Sequence, residues 1–299
     1  MNIDLSGTGI ALVTPFRNGA IDFNALTAII EHTIEGGVEY IVSLGTTGET
    51  PTLTKQEQLA VLNHTIKVVR KRVPIVAGFG GNNTASIVKD IQDFHFDGVD
   101  AILSSSPNYN KPTQEGIFQH YMAIEAVSPR PIIIYNVPGR TGRNISAETT
   151  LRLAHASSKF IAVKEASGNL QQCMEIVKEK PTDFLLLSGD DNLTLPMIAF
   201  GGKGAISVVG NAFPHAFSEM VRAGIAGDLN KAKSLHFDLF DITNLLFVEC
   251  NPSGVKAALN VLGLCEQEVR LPIVPVMAST YKAIQQQVEM IQEKHHALV

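Results

Sequence analysis

A single lysine interrupts an apolar stretch near the middle of the chain, in "FIAVKEASGN" (160–169). The alternation of side chains along a strand places Phe160, Ala162, Lys164 and Ala166 on one face. An ammonium group is rare there unless its stem reaches water or its burial serves chemistry. Small alanines leave room for a ligand, and desolvation disfavours the charged form, so more free amine is available as a nucleophile. We favour a Schiff-base lysine, with a snorkelling or ion-paired lysine as the alternative.

Four polar side chains near the ends of other apolar runs are candidates to assist such an amine. Tyr135, in "PIIIYNV", could exchange protons with an imine, and a core tyrosine with a satisfied hydroxyl is the alternative. Thr46 and Thr47, in "GTTGET", could relay those protons or only cap a loop. Arg140, in "PGRTG", could hold a substrate carboxylate through two hydrogen bonds or be an ordinary surface arginine.

The sequence supports a metal site or a phosphate site less well than a Schiff-base lysine. The nine histidines are dispersed without a His-Glu-x-x-His motif, which disfavours a metal-dependent aldolase. Asp190 and Asp191 are interpreted as helix N-cap residues, because no carboxylate follows a neighbouring strand to complete a magnesium site. The stretch "GGKGAIS" (201–207) fits a phosphate loop or a simple turn equally well. We therefore expect no metal.

These candidates follow apolar runs that alternate with segments of helical period. Continuous Val, Ile and Leu runs are typical of parallel strands covered on both faces. The runs lie at 9–16, 40–45, 73–79, 101–107, 131–137, 160–167, 184–190 and 204–211. Eight strand–helix units predict an α/β fold, a (β/α)₈ TIM barrel over residues 1–227, with its chemistry at the carboxyl ends of the strands. A doubly wound sheet is the alternative, but the Gly-rich nucleotide loop that usually follows its first strand is missing. Residues 228–299 predict a C-terminal helical region.

Composition narrows the function classes. The 299 residues are 45% hydrophobic and 18% charged, as in a packed globular protein. A net charge of −5 without a basic cluster disfavours nucleic acid as a partner. No apolar run is long enough for a membrane span, and no signal peptide is visible. The three cysteines form no Cys-x-x-Cys pair, which favours a reducing compartment. We expect a cytoplasmic protein that binds neither membrane nor nucleic acid.

In combination and order, the motifs resemble those of the dihydrodipicolinate synthase family of pyruvate-dependent class I aldolases. They are "GIALVTPF", "GTTGETPTL", "SPNYNKPTQEG", "YNVPGRTG", "VKEASGN", "SGDDNLTLPM", "GGKGAISV" and "NPSGVKAAL", and the likeness runs nearly end to end. The resemblance implies a condensation of pyruvate with L-aspartate 4-semialdehyde in the diaminopimelate and lysine pathway. The protonated imine nitrogen would be the electron sink, so no cofactor is implied.

The resemblance also assigns roles to the candidates. Lys164 would form the imine with pyruvate, and Tyr135 would donate and accept its protons. Thr47 would bind the pyruvate carboxylate and pass protons, with Thr46 beside it.

Further residues are assigned by the same resemblance. The backbone of Ile206 is expected to contact pyruvate, and Gly189 is expected to bind substrate. Arg140 would hold the carboxylate of the aldehyde substrate, which favours aspartate 4-semialdehyde over a sugar acid. Tyr109 would complete the proton relay from a neighbouring subunit, so a homo-oligomer, a tetramer, is implied. Two alternatives stay open: a related pyruvate aldolase for a sugar acid or hydroxy-oxo acid, and a non-catalytic keto-acid sensor.

Several positions depart from members of the family that lysine inhibits. Those members usually carry histidines, a glutamate and a second tyrosine where this chain has Lys55, Gln58, Ser86 and Asn108, although Asn82 matches. A cationic Lys55 would repel the ammonium of lysine. The sequence therefore predicts weak or absent feedback by lysine.

Overall fold

Eight parallel strands close into a barrel in the computed structural model, which describes residues 3–296. The strands are β1 (Gly7–Ala11), β2 (Phe16–Arg17), β3 (Ala20–Ile21), β4 (Tyr40–Ser43), β5 (Ile75–Gly78), β6 (Ala101–Ser105), β7 (Ile132–Asn136), β8 (Phe160–Glu165), β9 (Leu185–Ser188) and β10 (Gly204–Ser207). β1 pairs with both β10 and β4, so the barrel has no open edge. β2 and β3 form a separate antiparallel hairpin. The predicted TIM barrel is confirmed, and the hairpin is an addition to it.

Helices follow the barrel strands and continue beyond the last one. They are α1 (Phe23–Glu35), α2 (Lys55–Val69), α3 (Thr84–Asp93), α4 (Gln114–Val127), α5 (Pro138–Thr141), α6 (Ala147–Ala156), α7 (Leu170–Glu179), α8 (Thr194–Ala199), α9 (Pro214–Ile225), α10 (Leu229–Phe247), α11 (Ser253–Val261) and α12 (Ala278–His296). The predicted C-terminal helices are therefore present as α10 to α12. The proposed division at residues 227 and 228 falls in the turn between α9 and α10 and stays a prediction. Within the described part of the chain, no helix is long and apolar enough to cross a bilayer.

Helix starts follow the capping residues of the sequence. Thr54 accepts a hydrogen bond from the N–H of Glu57, and the Glu57 carboxylate accepts one from the N–H of Thr54, which completes the capping box of α2. Asp22 accepts from the N–H of Ala25 at the start of α1. Because such caps satisfy donors that the first helical turn leaves open, these boundaries could be predicted from the sequence.

The barrel interior is filled by large side chains facing glycines. Tyr40 of β4 is fully buried, and its hydroxyl donates to the carbonyl of Ala205 at 3.3 Å. A Cβ on Gly9 of β1 would lie 2.1 Å from the Tyr40 ring, so only glycine leaves space for that ring. This packing makes the barrel a solid core and restricts ligands to its ends.

The pairing of β7 with β8 corrects one detail of the predicted alternation. Ile132 pairs with Phe160, but Ile133 pairs with Ala162, so the register shifts by one residue. Phe160 consequently contacts Tyr121 of α4 edge to face, with ring centroids 6.2 Å apart. Phe160 and Lys164 therefore do not share a face as predicted, because the irregularity between them reverses the alternation.

His120 of α4 is a buried histidine away from the strand ends. It is 3% exposed, its Nδ1 lies 2.8 Å from the Thr84 hydroxyl, and its Nε2 has no partner in the described residues. Burial lowers the pKa of His120 to about 4. The folded protein therefore keeps this imidazole neutral at a pH where the unfolded chain protonates it.

We expect a pH-dependent loss of stability from His120. The stability that comes from keeping His120 neutral is fully present above the unfolded pKa of about 6.5. It is lost as pH falls toward about 4, because only the unfolded state binds the proton in that window. Urea unfolding of wild type and His120→Gln across this range measures it, and the variant should show a flatter decline. His155→Gln, at an exposed histidine, should retain the wild-type slope. Parallel curves for wild type and His120→Gln would contradict the prediction.

Candidate active site

The β7–β8 ladder places Lys164 directly beside Tyr135. Lys164 is 5% exposed, and its Nζ lies 4.4 Å from the centroid of the Tyr135 ring. No carboxylate among the described residues forms an ion pair with it. The side chain therefore does not snorkel to the surface and has no counter-ion. This buried amine beside one aromatic ring is placed to act as a nucleophile toward a ligand.

Gly189, after β9, leaves the space that Lys164 occupies. A Cβ at this position would lie 3.1 Å from Lys164 Cε and 2.7 Å from the Cβ of Ala166. The Gly189 N–H donates to the Glu165 carbonyl at 2.8 Å, and this hydrogen bond keeps the segment after β9 close to the end of β8. The observed contact of Gly189 is thus with the lysine, and its predicted contact with substrate stays a prediction.

A buried carboxylate on the opposite face of β8 fixes the orientation of the strand. Glu165 is 2% exposed and accepts hydrogen bonds from Asn136 Nδ2 at 2.9 Å, Gln172 Nε2 at 2.9 Å and Ser167 N–H at 2.8 Å. These neutral donors tie Glu165 to β7 and α7, which satisfies the buried charge. Because neighbouring side chains of a strand point in opposite directions, Lys164 points to the other face.

The two threonines lie on a short 3-10 helix, Thr46–Gly48, after β4. Thr47 is 2% exposed, and its Oγ1 accepts a hydrogen bond from Asn251 Nδ2 at 3.1 Å. Asn251 comes from the C-terminal region, just before α11. The sequence did not single out this contact, although "NPSGVKAAL" was among the matching motifs.

A buried ion pair attaches the same loop to α11. Lys256 Nζ lies 2.5 Å from Glu49 Oε1, and neither side chain is exposed. Glu49 Oε2 also accepts from the N–H of Arg270, and Lys256 donates to the carbonyl of Glu268. The ammonium lies 4.2 Å from the centroid of the Phe16 ring. With its hydrogen bonds satisfied, the pair fixes the loop to the C-terminal region.

Replacing Lys256 with methionine should be strongly destabilising. The change leaves Glu49 charged and buried without its partner, which typically costs about 3–5 kcal/mol of unfolding free energy. Chemical denaturation measures the loss. The double variant Lys256→Met with Glu49→Gln should recover part of it, since no unpaired charge remains. A Lys256→Met protein as stable as wild type would refute this account of the pair.

An open cavity of about 720 Å³ lies beside the predicted site, with Thr46, Tyr135 and Arg140 among its lining residues. Arg140 is exposed on α5, and its guanidinium forms no hydrogen bond or ion pair with the described residues. The cavity extends to Lys55, whose Nζ lies 2.5 Å from Asp90 Oδ2. Thr46, Tyr135 and Arg140 are therefore brought together around one space, while the predicted weak feedback by lysine stays a prediction.

Five of the eight predicted site residues are not among those that line this cavity: Lys164, Thr47, Gly189, Tyr109 and Ile206. Tyr109 is 84% exposed and has a left-handed backbone, with φ of 68°. Ile206 of β10 is 1% exposed and pairs with Gly9 of β1. The role of Tyr109 toward a neighbouring subunit stays a prediction.

Asp191 has a different partner from the one predicted. Its carboxylate accepts from the N–H groups of Val208 at 3.0 Å and Val209 at 2.9 Å, so it fixes the chain after β10 and does not cap its own helix. Burial raises the pKa of Asp191 to about 6, and the N–H donors oppose this shift. The N-cap interpretation of Asp191 was wrong because the partners are distant in sequence. Among the described residues, no group of three or more His, Cys, Asp or Glu side chains could hold a metal.

Known proteins resemble this chain in sequence and in fold. The sequence model of the dihydrodipicolinate synthetase family matches residues 4–291. A 4-hydroxy-tetrahydrodipicolinate synthase of Parabacteroides distasonis is 49% identical over 286 residues, which cover 95% of this chain and 96% of that one. The 4-hydroxy-tetrahydrodipicolinate synthase structure from Methylacidiphilum fumariolicum superposes with a TM-score of 0.94 at 38% identity, covering 99% of both chains. A dihydrodipicolinate synthase from Acinetobacter baumannii, complexed with pyruvate, has a TM-score of 0.93 at 36% identity, covering 97% of this chain and 99% of that one.

Proposed function

The chain belongs to the dihydrodipicolinate synthetase family, and on this premise we propose how its site works. Like its curated relatives, the protein acts as a 4-hydroxy-tetrahydrodipicolinate synthase. It is a Schiff-base-forming lyase that condenses pyruvate with L-aspartate 4-semialdehyde. The observation that carries this proposal is the buried Lys164, which has no ion-pair partner among the described residues and lies beside the ring of Tyr135.

The reaction begins when the Lys164 amine attacks the keto carbon of pyruvate. The carbinolamine loses water to become a protonated imine, whose nitrogen withdraws electrons from the neighbouring methyl group. Loss of a methyl proton gives an enamine, and its carbon attacks the aldehyde carbon of the second substrate. The substrate's own amine then adds to the imine carbon, which closes the ring and releases Lys164 as a free amine.

The other residues move protons and hold carboxylates. Tyr135 transfers the protons that carbinolamine formation and collapse require, through the hydroxyls of Thr46 and Thr47. Thr47 also binds the pyruvate carboxylate. Gly189 and the backbone of Ile206 complete the pyruvate site.

The assembly and the second substrate add further residues. Tyr109 extends from a neighbouring subunit of a homotetramer and completes the relay, which agrees with its exposure in the single chain. Arg140 binds the carboxylate of aspartate 4-semialdehyde; its guanidinium has no partner among residues 3–296 and lies at the cavity. The protein works in the cytoplasm.

Turnover assays with chosen aldehydes test this function. Pyruvate consumption should require aspartate 4-semialdehyde and should be far slower with N-acetylmannosamine. Turnover with the sugar alone would assign the chain to a different aldolase reaction. No turnover with either aldehyde would remove the proposed function.

Replacing Arg140 with alanine should weaken binding of the aldehyde substrate. Loss of a bidentate carboxylate contact is expected to raise the KM for aspartate 4-semialdehyde by about 10-fold to 100-fold, while the KM for pyruvate changes little. Arg143→Ala is the matched control, because Arg143 lies in the same loop and donates to the carbonyl of Lys111. Equal effects of the two variants on both substrates would argue against a specific role of Arg140.

A further inference from the structure

One side chain of the C-terminal region forms a hydrogen bond with a threonine of the loop after β4. Asn251 is 5% exposed and lies immediately before α11, 204 residues away from Thr47 in sequence. Its Nδ2 donates to Thr47 Oγ1 at 3.1 Å, in a buried environment. We propose that Asn251 is a positioning residue that turns the hydroxyl proton of Thr47 toward pyruvate. This inference rests on the proposed role of Thr47 as the group that binds the pyruvate carboxylate.

The hydrogen bonds of the Thr47 hydroxyl leave its proton available for a ligand. Thr47 has one proton to donate and two lone pairs that accept. Asn251 occupies one lone pair, and no acceptor among the described residues receives the Thr47 proton. The proton is therefore free for a ligand, and the Asn251 donor fixes the oxygen that carries it.

The acceptor atom of Asn251 supports a purpose beyond local stability. Asn251 Oδ1 is buried and has no hydrogen-bond partner in the part of the chain that the structure describes. A buried amide that only stabilised the fold would be expected to satisfy both of its polar ends. Here the N–H end is satisfied by Thr47 and the carbonyl end is not, so the contact with Thr47 defines the position of this side chain.

The surroundings make Asn251 a rigid support. Ser253, two residues on, is 2% exposed and donates to the carbonyl of Val274 at 2.7 Å. Lys256 on α11 joins Glu49, two residues after Thr47, in the buried ion pair. The donor and the acceptor thus belong to segments that are fixed to each other independently of their own hydrogen bond. Small displacements of such a group can change rates by about 100-fold.

A double-mutant cycle tests the proposal. Asn251→Ala should lower kcat/KM for pyruvate by about 10-fold to 100-fold and slow the formation of the borohydride-trapped adduct, while the KM for the aldehyde stays near wild type. In a Thr47→Val background, which lacks the hydroxyl, Asn251→Ala should add no further loss. If Asn251 had only a structural role, the losses of kcat/KM caused by Asn251→Ala and Thr47→Val would multiply in the double variant.

Matched variants separate positioning from folding. Asn260→Ala removes a nearby asparagine, on α11, that contacts Cys265 and Tyr281. This variant should trap pyruvate at the wild-type rate. Asn251→Asp keeps the size of the side chain but offers no donor when ionised, so it should lose at least as much activity as the alanine variant. It serves as the second variant if Asn251→Ala does not fold.

Two different results would overturn two different statements. Wild-type trapping rates and pyruvate KM in Asn251→Ala or Asn251→Asp, or a loss that multiplies with Thr47→Val, would remove the inference about Asn251 alone. A wild-type protein that forms no adduct with pyruvate would remove the proposed function and, with it, the inference.

Discussion

Replacing Lys164 with alanine is expected to lower kcat by a factor of about 10⁴ or more, the scale on which loss of a nucleophile acts in other enzymes. The lysine amine forms the covalent bond to pyruvate in our account, so no neighbouring group can replace it. Steady-state turnover of aspartate 4-semialdehyde measures this loss. The fold should survive, because the variant removes a buried amine that has no ion-pair partner among the described residues.

Lys164→Arg is the sharper control for this prediction. The guanidinium keeps a positive charge beside Tyr135 but cannot supply a free amine for imine formation. It should therefore be as inactive as the alanine variant. If Lys164→Arg retained substantial activity, the lysine would act through its charge and the imine mechanism would be wrong. Lys178→Ala, at a largely exposed lysine side chain, should be fully active.

Replacing Tyr135 with phenylalanine should lower kcat by about 10²-fold to 10⁴-fold, the usual contribution of a positioned proton-transfer group. The aromatic ring that lies 4.4 Å from Lys164 is kept, so packing and stability should change little. Only the phenolic proton is lost. The variant should still form an imine with pyruvate, but more slowly, and stopped-time borohydride trapping measures that rate.

Tyr121→Phe is the matched control for Tyr135→Phe. Tyr121 is also buried, and its hydroxyl donates to the carbonyl of Ser104 at 2.8 Å and lies near the backbone of Tyr135. Its loss should reduce stability by about 1 kcal/mol and leave kcat unchanged. A Tyr135→Phe enzyme within threefold of wild type would show that the phenol is not the proton donor.

The barrel could be predicted because its strands and helices are encoded locally. Strands buried on both faces require continuous apolar runs, and helix starts require capping side chains such as Thr54 and Glu57. Features set by pairing between strands could not be predicted in this way. The register shift that turns Phe160 toward α4 depends on how β7 and β8 meet, and the local pattern of β8 carries no sign of it.

In the site, too, locally encoded residues could be predicted and distant contacts could not. Lys164 was noticeable as a lone cation in an apolar run, and its neighbour Tyr135 followed from the strand order of the barrel. Lys256 has the same signature in "VKAAL" but was not interpreted, since its partner Glu49 lies 207 residues away. Asn251 carries no such signal, because its role appears only when Thr47 is placed beside it. Distant contacts of this kind need coordinates.

Reductive trapping tests the central claim most directly. The protein is incubated with pyruvate and borohydride, digested, and its peptides are mapped by mass. The account predicts one reduced pyruvate adduct, located on Lys164, that disappears in Lys164→Arg and persists at a lower rate in Tyr135→Phe. An adduct on another lysine, or none on the wild-type protein, would contradict it.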